Sequence, residues 1–351
     1  MPHTPRGRCA QAPAMKTILL AVGGNSLIRA GEKGTIDEQL ANARRTAREI
    51  VGLIHDGFRI VLTHGNGPQV GAALLRSEAG SSQVPAQPLD VCDACTQGEI
   101  GYILEQSLTA ELEAAGLHVP VISVLTQSII SLDDPAMRHP NKPVGPFYSR
   151  QEAEDRQLHL GWEIVEDAAR GYRRVVPSPE PIEIVELEVI RDLVNRGVVV
   201  IACGGGGIPV ARNSKDGRIA GVEAVIDKDR ASAILAVHLG VDLFVISTDT
   251  DFVYLDYKKP TQQPLHEVHA SDLRLYLEAG HFAPGSMRPK IESVLRFLRE
   301  SGKDRDRSAI IASAENLRRA VAGETGTHIL SDGAASGLSR ATHAEIPVGG
   351  R

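Results

Sequence analysis

An α/β fold built on a parallel sheet is predicted by two observations. Three short apolar runs end in glycine clusters: ILLAVGGN at 18–25, IVLTHGNGPQVG at 60–71 and VVVIACGGGGIPV at 198–210. Such runs, largely β-branched, describe strands buried on both faces that stop abruptly. Stretches of helical length lie between them, giving the β-α-β rhythm of crossover connections.

The elements follow in order. Residues 17–23 read as a strand, and Asp37 opens a helical pattern through His55 that Gly57 closes. A strand at 58–63 leads to helical stretches at 68–78 and 96–115, then to a strand at 119–125. The rhythm breaks at 131–181, which is rich in proline and holds the only tryptophan, Trp162. We expect an inserted subdomain there, packed over the sheet edge as a lid, with a long structured loop as the alternative. Alternation resumes with a helix at 184–196, a strand at 198–203 and a polar hairpin through Gly221. A helix at 227–239, a strand at 243–247, a helix at 286–299 and a strand at 308–312 complete the pattern.

One domain over 15–331 is expected, preceded by a disordered extension at 1–14 and followed by a loose Gly/Ala/Ser-rich tail at 332–351. Hydrophobic residues make up 42% of the 351, enough for a large core, and aromatics at 4% leave it aliphatic. The net charge of −6 argues against a nucleic-acid surface, so an anionic ligand must be attracted by a few placed lysines. No apolar run reaches membrane-span length, and the first residues lack the apolar stretch of a secretory signal. A cytoplasmic protein is the expectation. Cys92 and Cys95 form a C-x-x-C with no second pair to complete a zinc site, and Cys9 and Cys203 are scattered.

Glycine loops at strand ends let backbone N–H groups approach an anion, and three of them suggest convergence on one ligand. The segment GHFAPGSMRPKIE sharpens this. Proline is tolerated in the first helical turn, so Pro289 places the helix start near Ser286 and Lys290 in its first turn. A lysine is unfavourable beside the positive end of a helix dipole unless an anion sits there. Alone, this segment leaves a solvated lysine equally open. GVEAVIDKD repeats the pattern, with Asp227 a helix cap or an organiser of Lys228. HPNKPVGPF holds Lys142 between prolines, and STDTDFVY carries Asp249 and Asp251 after a strand, suiting ribose or magnesium contacts or a plain turn. Glycine loops with several lysines and no acid–base dyad fit phosphoryl transfer, which needs positioning and positive charge. Neither a Walker G-x-x-x-x-G-K-[ST] nor the protein-kinase motifs occur.

AVGGNSL, THGNGPQVG, TQGEIGY, PNKPVGPF, VVPSPEPI, CGGGGIPV, GVEAVIDKD and GHFAPGSMRPKIE together resemble the carbamate kinases of the amino-acid kinase superfamily, over about 16–329. The resemblance implies a three-layer αβα sandwich with a mainly parallel eight-stranded open sheet, an inserted lid and a homodimer. It implies reversible phosphoryl transfer between ATP and carbamate, giving ADP and carbamoyl phosphate, with Mg²⁺ held by the nucleotide phosphates rather than by the protein. In cells such enzymes usually run toward ATP, at the end of arginine, agmatine or purine-nitrogen breakdown. On matching positions, Gly23, Gly24, Asn25, Gly65, Asn66, Gly204 and Gly205 would hold the carbamoyl end. Lys228 and Lys290 would stabilise the phosphoryl group, Asp227 would organise them, and Lys142 would arrive with the lid. Ser247, Thr248, Asp249, Tyr254, Ala283, Gly285, Met287 and Pro289 would border the nucleotide. Ala21 stands where many other superfamily members carry a lysine, which favours a lid-supplied cation. STDTD departs from the more usual LTGVD-like turn and puts nucleotide preference in doubt.

Overall fold

The computed structural model describes residues 15–24, 27–29, 31–167, 170–302 and 307–333. Residues 1–14, most of the expected C-terminal tail and Asn25 lie outside them.

The first half comprises β1 (Thr17–Val22), α1 (Ile36–His55), β2 (Arg59–His64), α2 (Gly67–Gly80), α3 (Leu89–Ala114), β3 (Val121–Ser123) and β4 (Gln127–Ile130). Then come β5 (Lys142–Tyr148), α4 (Arg150–Leu160), β6 (Glu163–Asp167), β7 (Gly171–Val176), β8 (Pro181–Ile184), α5 (Leu187–Asn195), β9 (Val199–Ile201), β10 (Ile208–Arg212) and β11 (Ile219–Gly221). The chain continues through α6 (Lys228–Leu239), β12 (Leu243–Thr248), β13 (Val253–Leu255), β14 (Gln263–Leu265), β15 (Glu267–His269) and α7 (Ala270–Glu278). It closes with α8 (Met287–Glu300), β16 (Ser308–Ser313), α9 (Leu317–Val321) and β17 (Thr327–Leu330).

Eight strands form the main sheet in the order β15-β17-β16-β12-β1-β2-β9-β3, and every pairing except β16–β17 is parallel. Ile18 to Val22 are fully buried, as the apolar run requires. Alternate residues of β1 feed opposite cores: Leu19 and Ala21 pack toward α6 and α8, Ile18 and Leu20 toward α1 and α3. This two-sided burial makes the three layers. Helix α1 starts at a capping box in which the Thr35 hydroxyl accepts from Glu38 N–H and the Glu38 carboxylate accepts from Thr35 N–H. Among the described residues no helix is long and apolar enough to cross a membrane.

Several boundaries differ from the sequence reading. The strand expected at 119–125 is only β3, because Gln97 takes hold of Thr126. Its Oε1 accepts from Thr126 N–H at 2.8 Å and its Nε2 donates to the Thr126 carbonyl at 3.0 Å. The chain then leaves the sheet as β4, pairing with β8 and β10. Ile184 ends β8 instead of opening a helix, so α5 starts at Leu187. Helix α3 begins seven residues before 96, directly after Pro88. The break at 131–181 contains its own antiparallel sheet, β5-β7-β6, and α4. Val144 and Val176 of this sheet pack on Val70, Leu89 and Cys92, and Arg156 of α4 pairs with Glu78 of α2.

Helix α8 docks through Phe297, whose ring meets Phe244 of β12 edge-on at 5.5 Å between centroids. Both rings are fully buried. Phe297→Ala should lower the unfolding free energy in urea by about 3–5 kcal/mol, the usual cost of a buried aromatic truncation. A loss below about 1 kcal/mol would mean that α8 docks by other contacts.

Candidate active site

Because β1, β2 and β12 are parallel neighbours, their carboxyl ends open on one edge, where open α/β sheets bind ligands. A cavity of about 820 Å³ lies there. Its walls come from the loops after these strands, from β5, and from the amino ends of α6 and α8. Glycines 23, 24, 65 and 205 line it with Asn66. So do Lys142, Asp227, Lys228 and Lys290, and all eight residues expected at the nucleotide, from Ser247 to Pro289. The Ser247 hydroxyl accepts from Gly23 N–H at 3.0 Å, tying the first glycine loop to the end of β12. Asp256, Tyr257 and Lys259, which no sequence motif marked, also border the cavity, as does His281 of GHFAPGSM.

Two expectations need correction. Gly204 does not line the cavity. A Cβ there would run into the His64 ring and Gln97, and its carbonyl accepts from Gln97 Nε2 at 2.9 Å. Gly205 does face the cavity, yet its glycine is required by a protein contact: φ is +67° and a Cβ would collide with the Asn66 amide. The second correction concerns the lysines. Asp229, not Asp227, joins Lys228 and Lys290, with Oδ1 at 2.9 Å from Lys228 Nζ and Oδ2 at 2.8 Å from Lys290 Nζ. Asp227 is the N-cap of α6. Its Oδ1 accepts from Asp229 N–H at 3.0 Å, and its Oδ2 meets Lys142 Nζ at 3.2 Å. A cap folds back over its own helix start, leaving the residue two places on to face the neighbouring helix.

The side chains of Asp229, Lys228 and Lys290 are 6%, 11% and 16% exposed, whereas that of Lys142 is 40% exposed. The first three are therefore a buried charge cluster, and Lys142 sits at its rim. Burial works against the Asp229 carboxylate, but Lys228 and then Lys290 outweigh it and hold its pKa well below the usual range. Burial drives the Lys228 ammonium below its usual value against the attraction of Asp229, and Lys290 adds to that lowering. At the start of α8, Ser286 makes no side-chain cap bond and the first turn carries no acidic residue. Positive charge and helix N–H groups thus converge on the cavity.

Behind the glycines, two buried groups titrate in opposite senses. Burial, with repulsion from Lys228, pushes the His64 imidazole down to about 4. Burial pushes the Asp93 carboxyl up to about 7 against the hydrogen bond from Asn66. Folded His64 stays neutral between its ordinary 6.5 and about 4, so its contribution to stability falls as pH drops through that window. Folded Asp93 stays protonated from its ordinary 3.8 up to about 7, so its contribution falls as pH rises through that one. Asp93→Asn removes only the second effect. The unfolding free energy of the variant should therefore climb more steeply than wild type between pH 4 and 6.5. Equal slopes would refute this pairing of opposed titrations.

Comparison with known proteins agrees with this architecture. The amino acid kinase family matches residues 16–313. A carbamate kinase of Thermococcus kodakarensis is 46% identical over 321 residues, spanning 91% of this chain and 100% of the relative. One from Pyrococcus furiosus is 47% identical over 317 residues, with 90% and 99% covered. The solved structure of carbamate kinase from Giardia lamblia bound to AMP-PNP superposes with a TM-score of 0.85 at 42% identity, covering 91% of this chain and 99% of that one. The chain belongs to the amino acid kinase family and, within it, to the carbamate kinases.

Proposed function

We propose that the chain transfers a phosphoryl group reversibly between ATP and carbamate, giving ADP and carbamoyl phosphate. The observation that carries this reading is the convergence of three lysines from three separate elements, β5, α6 and α8, on one glycine-walled cavity. Phosphoryl transfer asks the protein for this kind of provision: charge and N–H groups fixed in advance around the equatorial oxygens.

Lys228 and Lys290, held by Asp229, stabilise the group in flight, with the N–H groups of the first turn of α8 beside them. Lys142 comes from the three-stranded insertion, which acts as a lid. Its partner Asp227 holds it at the rim until a phosphate oxygen takes over the ammonium. Gly23, Gly24, Gly65, Asn66 and Gly205 hold the carbamoyl end, together with Asn25. The segment from Ser247 to Tyr254 and the residues Ala283, Gly285, Met287 and Pro289 receive the nucleotide. The wall carboxylates Asp227 and Asp229 are already engaged by lysines. A Mg²⁺ ion would then be held by the nucleotide phosphates, whose charge it would help to neutralise. In the cell we assign the reaction the ATP-forming direction, in the cytoplasm, by a homodimer.

The purified chain, given carbamoyl phosphate and Mg-ADP, should form ATP rapidly, and acetyl phosphate should be a poor donor. A folded protein that binds ADP yet forms no ATP would overturn the reaction. Lys142→Ala should lower kcat about 100-fold or more, the cost of one lost transition-state donor, while leaving the KM for ADP nearly unchanged. A change confined to that KM would place Lys142 at the nucleotide instead. Lys290→Ala should stay folded and lose activity, and an unfolded variant would make the lysine a structural one.

A further inference from the structure

Asn66 occupies the N-cap position of α2 but makes no side-chain cap bond. Asparagine at such a position ordinarily turns its oxygen onto the helix N–H groups. Here the side chain goes the other way, to α3, where its Nδ2 donates to Asp93 Oδ1 and, at 2.8 Å, to Thr96 Oγ1. The Thr96 hydroxyl proton is already committed to the Asp93 carbonyl at 2.7 Å, so Oγ1 can only accept from Asn66. That fixes which end of the amide is nitrogen. Both amide protons are used, and Oδ1 of Asn66 accepts no hydrogen bond from the described residues. The residue is only 7% exposed and lines the cavity beside Gly65, whose backbone abuts Gly24 and the Lys228 stem.

Asp93 is buried in α3; among the described residues its Oδ2 has no partner and its side chain makes one hydrogen bond, to Asn66. A carboxyl group desolvated this far costs free energy. Its Oδ1 can accept from Asn66 whether or not the group is ionised. Gly205 flanks the amide from the other side, where any Cβ would collide with it.

We infer that Asp93 and Thr96 are positioning residues that lock the Asn66 amide with its oxygen toward the substrate, making the site select a small acid bearing an N–H donor. This rests on the carbamate kinase reading. The amine of carbamate or carbamoyl phosphate supplies a donor to this oxygen, which accepts none from the described residues. The methyl group of acetate or acetyl phosphate leaves it buried and unpaired, and polar mismatch of that kind discriminates better than size.

The test compares kcat/KM for carbamoyl phosphate and acetyl phosphate in ATP formation by wild type, Thr96→Val, Thr96→Ser and Asp93→Leu. Thr96→Val keeps the side-chain volume, and Thr96→Ser restores the hydroxyl. In Thr96→Val and Asp93→Leu the preference for carbamoyl phosphate should shrink about 10- to 100-fold, through loss of the good substrate alone. Thr96→Ser should keep the wild-type preference. Parallel losses with both donors, or an unchanged preference in Thr96→Val, would overturn the positioning role while leaving the reaction standing. A folded wild-type chain forming no ATP from carbamoyl phosphate would overturn the reaction and this inference together.

Discussion

The site depends on one buried carboxylate. Asp229 stands in the first turn of α6 and binds the ammonium of its own neighbour, Lys228, and that of Lys290 from α8. Two cations brought this close and removed from water repel each other. A single anion between them offsets that repulsion and ties the two helix ends together. The arrangement still carries excess positive charge in a chain whose net charge is −6. The attraction for anions is therefore local to the cavity and owes nothing to the surface as a whole.

The sheet supplies the rigidity that this cluster needs. β1 is hydrogen-bonded on both sides, to β2 and β12, and the loops that follow these three strands make much of the cavity wall. Helices α6 and α8 pack against one another on one face and bring their amino ends to that same edge. The amino end of α2 adds Gly67 and Val70 to the wall beside Asn66, which α3 ties down through Asp93 and Thr96. Lys142 alone comes from outside this frame, on a small sheet that rests on α2 and α3. Lys142, more exposed than Lys228 and Lys290, thus belongs to the element with the smallest buried foundation.

Most of this was legible in the sequence where pattern and chemistry coincide. The apolar runs ending in glycine gave β1, β2 and β9, and Pro289 marked the start of α8 and hence the place of Lys290. What escaped was decided by side-chain direction. IDKD offers two acids, and only the geometry of the cap shows that Asp227 turns back to its helix and to Lys142 while Asp229 faces the lysine pair. The glycines of CGGGG look equivalent, yet Gly204 makes way for His64 and Gln97 and Gly205 for Asn66. The strands β13, β14 and β15 have three residues each, too short to show alternation, so no strand was expected between residues 249 and 269. Asp93 and Thr96 fall in the i, i+3/i+4 spacing of the buried face of α3, but that face mixes polar with apolar residues, so no clean apolar stripe sets the pair apart.

The order of strands also sets the order of assembly. β1 is the first strand in the chain but lies in the middle of the sheet, and one of its two neighbours, β12, comes more than 200 residues later. β17, the last described strand, is inserted between β15 and β16. Neither the centre nor that edge can close while the chain is still short. During synthesis the early strands must wait with apolar faces and hydrogen-bonding edges uncovered, the situation in which sheets of high contact order fold slowly and associate wrongly. The stretch from α6 to β17 therefore completes the sheet as well as carrying Lys228, Lys259 and Lys290, so the cavity wall and the finished sheet arrive together.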